Sequence, residues 1–342
     1  SGGLEMPFKQ FFRLLFKIAL LAVPGVLLTG FALSFVVQGL AGAFGMALAP
    51  AVVILLGAIL ASTDPAAIIP VLQGVKFKRR IPKDLVIAES ALNDVAGALL
   101  TTVFLKLPLA AMTITAAYQA LVTPSTYLFL GMQAGYGVAF GIAAFVLLWF
   151  LSHIKRNETV QYGADQIYFL AVPIIGFTGA AVFGGSGFLA AFVAGILFHA
   201  KEHMAEVERF FYQTIDGVAK PLIFLLVGAL VDVHALIAYA PVGIAAALIF
   251  MFVLRPAMVF LTIGVFGFFP KSGRGLSLNE LLFISFVRET GAIPAVLLVT
   301  AVARMTTPVA GLVEIGMWVI LLTLVIAPPL TPFVARRLGV AE

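Results

Sequence analysis

Glu89-Ser90-Ala91-Leu92-Asn93-Asp94 puts two carboxylates and an amide inside an otherwise apolar helix, and Ser62-Thr63-Asp64-Pro65 interrupts the apolar segment just before it. Ionisable groups at membrane depth are costly, so in such segments they point to function before packing. The surroundings make the setting a membrane. The chain has 342 residues, 62% of them hydrophobic and 11% charged, whereas soluble domains carry about 25% charged residues. Long unbroken apolar runs, rather than short alternating segments, select helices over a β-barrel. The expected fold class is an all-α polytopic membrane protein. The absence of cysteine excludes disulfides, thiolate catalysis and Cys-based metal sites.

Ten candidate spans can be read: Leu14–Val37, Met46–Val75, Leu85–Leu105, Tyr127–Leu151, Gln166–Val182, Phe188–Phe198, Val218–Val231, Ala238–Phe268, Leu278–Val302 and Val309–Val334. Threading them through a bilayer puts 17 of the 21 Lys and Arg on one side. Only Lys106 and Arg304 fall on the other, while Arg255 and Arg288 lie within spans. By the positive-inside rule both ends of the chain are expected in the cytoplasm of a cell (inner) membrane protein. The net charge of +5 is thus topology, and no nucleic-acid partner is expected. Ser1-Gly2-Gly3-Leu4-Glu5 reads like the interior of a longer protein, so an N-terminal truncation is expected.

Two spans carry the mark of a discontinuous transport helix. Met46–Val75 is broken at Thr63-Asp64-Pro65, and Leu278–Val302 at Arg288-Glu289-Thr290-Gly291-Ala292-Ile293-Pro294. Each is the middle member of a three-span group, Leu14–Leu105 and Ala238–Val334, and the two groups run in opposite orientations. Interrupted spans at matching positions of two inverted halves point to a midplane site. Breaking a helix frees backbone groups, and these persist only where protein or a wet cavity satisfies them. The small residues Gly187, Ala191 and Gly195 recur every four positions and are expected to form a close-packing scaffold face.

On a helix Ser90 and Asp94 share a face, as do Glu89 and Asn93. Burial makes the charged form of Asp94 costly, so a proton and a metal cation compete for one carboxylate. Hard oxygen donors at Asp94, Ser90 and Thr63 suit Na⁺, Li⁺ or K⁺. Arg288 is the expected counter-ion of Glu89, leaving Asp94 to exchange one proton for one monovalent cation, an electroneutral cycle. Asn93 is expected to bridge broken backbone, and Asp64 to cap the half-helix that begins at Pro65. No cofactor is expected.

Ser62-Thr63-Asp64-Pro65, Glu89-Ser90-Ala91-Leu92-Asn93-Asp94, Gly185-Ser186-Gly187-Phe188-Leu189-Ala190 and Arg288 near Gly291 together resemble the monovalent cation/proton antiporters. Over essentially the whole chain the likeness is to their sodium/hydrogen exchanger, NhaP-like branch, with Asn-Asp where electrogenic relatives have Asp-Asp. The resemblance implies an inverted-repeat antiporter fold with two discontinuous crossing helices and Asp94 as the shared proton/cation carboxylate. It also implies Ser90, Glu89 and the Thr63 backbone near the ion, Arg288 paired with Glu89, and a homodimer working by an elevator-like movement of a six-helix core. Expected divisions are a first core repeat over 1–110, a connection and linker helix over 111–160, scaffold helices over 161–232 and a second core repeat over 233–342. Two departures stand out. About three N-terminal scaffold helices usual in such proteins are missing, and Glu289 replaces the glycine that often follows the arginine. Glu289 is therefore a rival to Glu89 for Arg288.

Other readings were weighed. His199-Ala200-Lys201-Glu202-His203 matches an inverted zinc-protease pattern but lacks a convincing third ligand, and a charged loop or a pH-sensing pair is the plainer reading. An intramembrane aspartyl protease would use Asp64 and Asp94 as facing acids. An organic-ion carrier or a transporter-fold sensor of pH or ions is the further alternative, yet Asp94 and Glu89 repel anions. Arg255-Pro256 lies within a span, where lining the pathway is one reading and a buried arginine tying helix ends together is the favoured one.

Overall fold

The computed structural model describes residues 8–63, 65–154, 162–198, 217–264, 275–305 and 309–342. Asp64 and the His199–His203 motif lie outside the described residues, so the expected cap and the zinc-protease pattern have no structural counterpart to report. Among the described residues the chain is helical, with one isolated β-bridge between Phe77 and Ala341. The helices are α1 (Phe8–Ala22), α2 (Pro24–Ala43), α3 (Pro50–Leu60), α4 (Pro65–Gln73), α5 (Ile81–Phe104), α6 (Ile114–Gln119), α7 (Pro124–Ile154), α8 (Tyr162–Val182), α9 (Gly187–Leu197), α10 (Gly217–Ala229), α11 (Val233–Ala238), α12 (Ala240–Gly264), α13 (Leu278–Phe286), α14 (Ala292–Arg304) and α15 (Leu312–Arg337).

Leu14–Ala43, Ile81–Phe104, Pro124–Leu151, Ala240–Gly264 and Leu312–Arg337 are long and apolar enough to cross a membrane. The shortest of them, α5, has 24 residues, and about 20 residues suffice for a bilayer core. The two interrupted spans appear as α3 with α4 and as α13 with α14, each pair separated by a short non-helical stretch. Each lies between the two continuous helices of its repeat, α2 and α5 in the first, α12 and α15 in the second.

The chain forms two compact units. One contains residues 1–13 and 123–222, and the other 14–122 and 223–342. In the first, Ala144, Leu148, Val172, Ala194 and Phe198 form a buried cluster. The expected scaffold face on α9 is corrected here: the small buried residues are Gly187, Ala190 and Ala194, while Ala191 and Gly195 are only half-buried. The cause is on α7, whose Gly137 and Gly141 let the backbone of Ser186 and Ala190 come within about 3 Å of where a Cβ would stand. The partner's glycines, not the α9 spacing, choose the face.

In the larger unit α2 and α3 touch backbone to backbone. A Cβ on Gly57 would lie 2.3 Å from the Gly30 carbonyl oxygen and 2.1 Å from Ser34 Oγ. A Cβ on Gly97 of α5 would lie 2.8 Å from Ser62 Cβ. That closeness brings the end of α3, and the break beyond it, against the face of α5 that carries Ser90, Asn93 and Asp94. α5 is correspondingly shielded: 78% of its most apolar stretch is buried, against 22% for Pro124–Leu151.

The unit is tied at the end where the cations cluster. Arg79 Nη1 meets Glu280 Oε2 at 3.0 Å and the Gly275 carbonyl at 3.2 Å. Glu280 also closes a capping box with Ser277 at the start of α13. The chain end lies alongside, with Lys78 N donating to Val340 O and Glu342 N to Lys76 O, both at 3.0 Å. Glu314 likewise serves as a cap, accepting from Gly311 N at 3.1 Å.

The α2–α3 contact can be tested by adding one methyl group. Gly57→Ala should destabilise the protein by about 1–3 kcal/mol, because overpacking forces backbone apart. Gly39→Ala, where a Cβ would meet nothing within 4 Å, should be neutral or slightly stabilising. Thermal unfolding in detergent compares the two.

Candidate ion site

The centre of the site is an ion pair. Arg255 of α12 grips Glu89 of α5 through both ends of its guanidinium, Nη1 to Oε1 at 2.7 Å and Nη2 to Oε2 at 2.6 Å. Both side chains are buried, 4% and 1% exposed. Two parallel charge-assisted bonds in a dry setting fix the orientation of the carboxylate. The expectation that Arg288 neutralises Glu89 is therefore corrected: the partner is Arg255. Its position owes something to Pro256, which cannot donate to the carbonyl of Phe252, and the preceding turn, Phe250–Leu254, is widened to π-helical geometry.

Arg288 has another task. Its Nη2 donates to the carbonyls of Leu60, at 3.3 Å, and Ala61. Those are the terminal carbonyls of α3, orphaned by the break and carrying the negative end of the helix dipole. A guanidinium satisfies them where lipid could not. The ring of Phe250 lies 4.9 Å from the Arg288 guanidinium carbon, a cation–π contact. Arg255 Nη2 makes a longer 3.5 Å contact with the Ile284 carbonyl in the last turn of α13. Each half-helix that ends at a break thus has an arginine from the other repeat, or from its own, at its carbonyl end.

From Glu89 the hydrogen bonds run onward in one direction. Asn93 Nδ2 donates to Glu89 Oε1 at 2.8 Å and to Thr63 Oγ1 at 3.3 Å. Thr63 Oγ1 in turn donates to Ser90 Oγ at 3.0 Å. The ionised carboxylate demands a donor, which sets which end of the amide faces it. Asn93 therefore reaches from α5 to the break, as expected of a bridging amide, but through the Thr63 hydroxyl rather than through backbone. Its Oδ1 is buried with no hydrogen-bond partner among the described residues.

Of the expected site residues, Thr63, Glu89, Ser90, Asn93, Asp94 and Arg288 are all 4% exposed or less, while Asp64 lies outside the described residues. Thr63, Glu89, Ser90 and Asn93 form a single hydrogen-bonded group. Asp94 lies one turn beyond Ser90 on α5 and is 4% exposed. Glu289 is also buried, at 2%, and with Glu89 and Asp94 exerts an electrostatic pull on Arg288. It no longer competes with Glu89 in any useful sense, since Glu89 is taken by Arg255. Arg255, expected to tie helix ends together, is thus also a site residue. The available signal was that a buried arginine needs a partner, and only a few acids lie within spans. No group of three or more His, Cys, Asp or Glu able to hold a metal occurs among the described residues.

Breaking the ion pair one side at a time should cost more than removing it whole. Arg255→Met leaves Glu89 charged and buried, and should destabilise by about 3–5 kcal/mol. Arg255→Met with Glu89→Gln should recover a large part of that loss in a detergent melt. Additive losses in the double variant would contradict the pairing.

Comparison with known proteins agrees with this architecture. Residues 1–337 match the family model described as "Sodium/hydrogen exchanger, transmembrane". Among curated proteins the chain is 32% identical over 302 residues to the K(+)/H(+) antiporter NhaP of Alkalimonas amylolytica, covering 87% of this chain and 48% of that protein. It is 26% identical over 291 residues to the K(+)/H(+) antiporter NhaP2 of Shewanella baltica, covering 83% and 46%. The chain thus spans about half the length of the curated relatives it matches. A solved structure of the sodium proton antiporter MjNhaP1 of Methanocaldococcus jannaschii superposes with a TM-score of 0.71 at 22% identity, covering 99% of this chain and 82% of that one. That likeness shows the fold, an inverted-repeat antiporter fold with two discontinuous helices.

Proposed function

The chain belongs to the sodium/hydrogen exchanger family, and from that premise we propose that it exchanges a monovalent cation for a proton across the membrane at Asp94. The carrying observation is the Glu89–Arg255 pair. With both of its oxygens engaged by its own arginine, Glu89 serves as the partner of Arg255 rather than as the exchanging group. Asp94 is then the acid of α5 that changes state, binding either a proton or a cation before the core moves. The side chains of Ser90 and Asp94 and the freed backbone carbonyl at Thr63 supply hard oxygen atoms suited to Na⁺, K⁺ or Li⁺, with Glu89 adding negative potential rather than a vacant ligand. Cation selectivity follows from cavity size and ligand field. The curated relatives named above are K⁺/H⁺ antiporters and the structural neighbour is a sodium proton antiporter, which supports both cations as first candidates.

One proton against one monovalent cation makes the cycle electroneutral. The larger compact unit, which holds both repeats and every residue of the site, is the transport core, and helices α7 to α9 belong to the scaffold through which the protein forms a homodimer. The protein lies in the cell (inner) membrane with both ends of the chain as given in the cytoplasm, as the clustering of Lys and Arg supports. The residues gathered at the site serve transport, so organic-anion carriage and peptide hydrolysis are the weaker readings.

Two outcomes are expected in proteoliposomes. Asp94→Asn should abolish cation-driven dissipation of a pH gradient, a loss of at least about 100-fold, as removal of the only exchanging carboxylate requires. The rate of the parent protein should be unchanged when a valinomycin-clamped potential is imposed in a Na⁺ experiment. An active Asp94→Asn variant would refute exchange at Asp94, and a potential-dependent rate would refute the 1:1 cycle.

A further inference from the structure

A buried hydroxyl on a helix usually returns its proton to the carbonyl one turn back. In this chain Ser34 donates to Gly30 O, Thr102 to Ala98 O, Thr262 to Met258 O, Ser285 to Leu281 O, Thr300 to Val296 O and Thr331 to Ala327 O, at 2.6 to 2.9 Å. This is the low-energy resting place of Ser and Thr in an apolar setting. Ser90, on α5 beside the break, is instead engaged by Thr63.

That bond is the far end of a series that begins at the ion pair. Arg255 fixes Glu89 as a carboxylate, and Glu89 as an acceptor turns the Asn93 amide so that Nδ2 faces it. The same Nδ2 faces Thr63 Oγ1, which must accept there. The proton of Thr63 is then left to donate, and it goes to Ser90 Oγ. One Ser90 lone pair is used by Thr63, and its second remains for a cation. Turning the Asn93 amide over would put its Oδ1 against the Glu89 carboxylate, acceptor against acceptor.

We infer that the side-chain hydroxyl of Thr63, as distinct from its backbone carbonyl, is a specificity-determining positioning residue that keeps Ser90 Oγ available to the cation. The inference rests on the exchange reading above. Without that hydroxyl, Ser90 turns to the carbonyl of Val86 one turn back on α5, the resting place its counterparts occupy, and the cation loses an oxygen ligand. The step at risk is binding, and the protonated half of the cycle does not use this oxygen.

The test is the half-saturating concentration of Na⁺, K⁺ and Li⁺ in proteoliposome exchange for the parent, Thr63→Val, Thr63→Ser and Ser90→Ala proteins. Thr63→Val keeps the branched shape and should raise KM for the preferred cation about tenfold, the scale of one lost polar contact. Its maximal rate should stay within about twofold, because the protonated step is untouched. Discrimination among the three cations should narrow, and Thr63→Ser should restore the parent values. In a Ser90→Ala background Thr63→Val should add nothing, since the two act as one unit. Parent-like KM in Thr63→Val, equal loss in Thr63→Ser, or an additive effect in the Ser90→Ala background would each overturn the role of the hydroxyl while exchange itself stands. A parent protein without exchange would overturn the exchange reading, and this inference with it.

Discussion

The buried pair between Glu89 and Arg255 is the constraint from which the rest of the site is built. Two charges are taken out of water at a cost of several kcal/mol each, and only their bidentate geometry and further hydrogen bonds offset it. Once made, the pair joins α5 of the first repeat to α12 of the second at 2.6 and 2.7 Å. It also sets a fixed negative charge whose need for donors orients Asn93. Through Asn93 the orientation passes to Thr63 at the break and on to Ser90. A single electrostatic choice thereby sets the orientation of the amide that links the ion pair to the break.

The helix breaks pose the complementary problem. A half-helix that stops inside the membrane presents carbonyls with no partner in its own backbone. Arg288 meets those of α3, and Arg255 approaches that of Ile284 in α13. Each arginine therefore does two things at once, closing a helix end while standing among the buried acids. The close approach that makes this possible comes from Gly30, Gly57 and Gly97, where backbone or a small side chain occupies the space a Cβ would take. Packing, helix termination and electrostatics are thus settled at the same few positions.

Much of this was legible in the sequence, and the reason is that the features concerned are local. Pro65, Gly291 and Pro294 beside charged residues mark broken helices, because no uninterrupted span in lipid needs them. The Asn93-Asp94 dipeptide within an apolar run marks the site. The partner of Glu89 was not legible. Among the described residues two buried arginines and four buried acids, Glu89, Asp94, Glu280 and Glu289, allow several pairings, and only the way α12 packs against α5 selects Arg255. Arg255 sits between the widened turns at Phe250–Leu254 and Phe260–Gly264, which no periodicity rule anticipates. The packing face of α9 was misjudged for a related reason: Gly137 and Gly141 on another helix decide it. The role of the Thr63 side chain was hidden because a hydroxyl has no preferred partner until its neighbours are placed.

The central claim is that a proton and a cation compete for one carboxylate, Asp94. The most direct test is the half-saturating cation concentration as a function of pH, measured on both sides of the exchange reaction. Competition at a single group predicts that, in the acidic range, this concentration rises about tenfold for each unit by which pH falls, with the maximal rate at saturating cation unchanged. A half-saturating concentration independent of pH, with only the maximal rate responding, would mean that proton and cation occupy different groups, and the account built on Asp94 would be wrong.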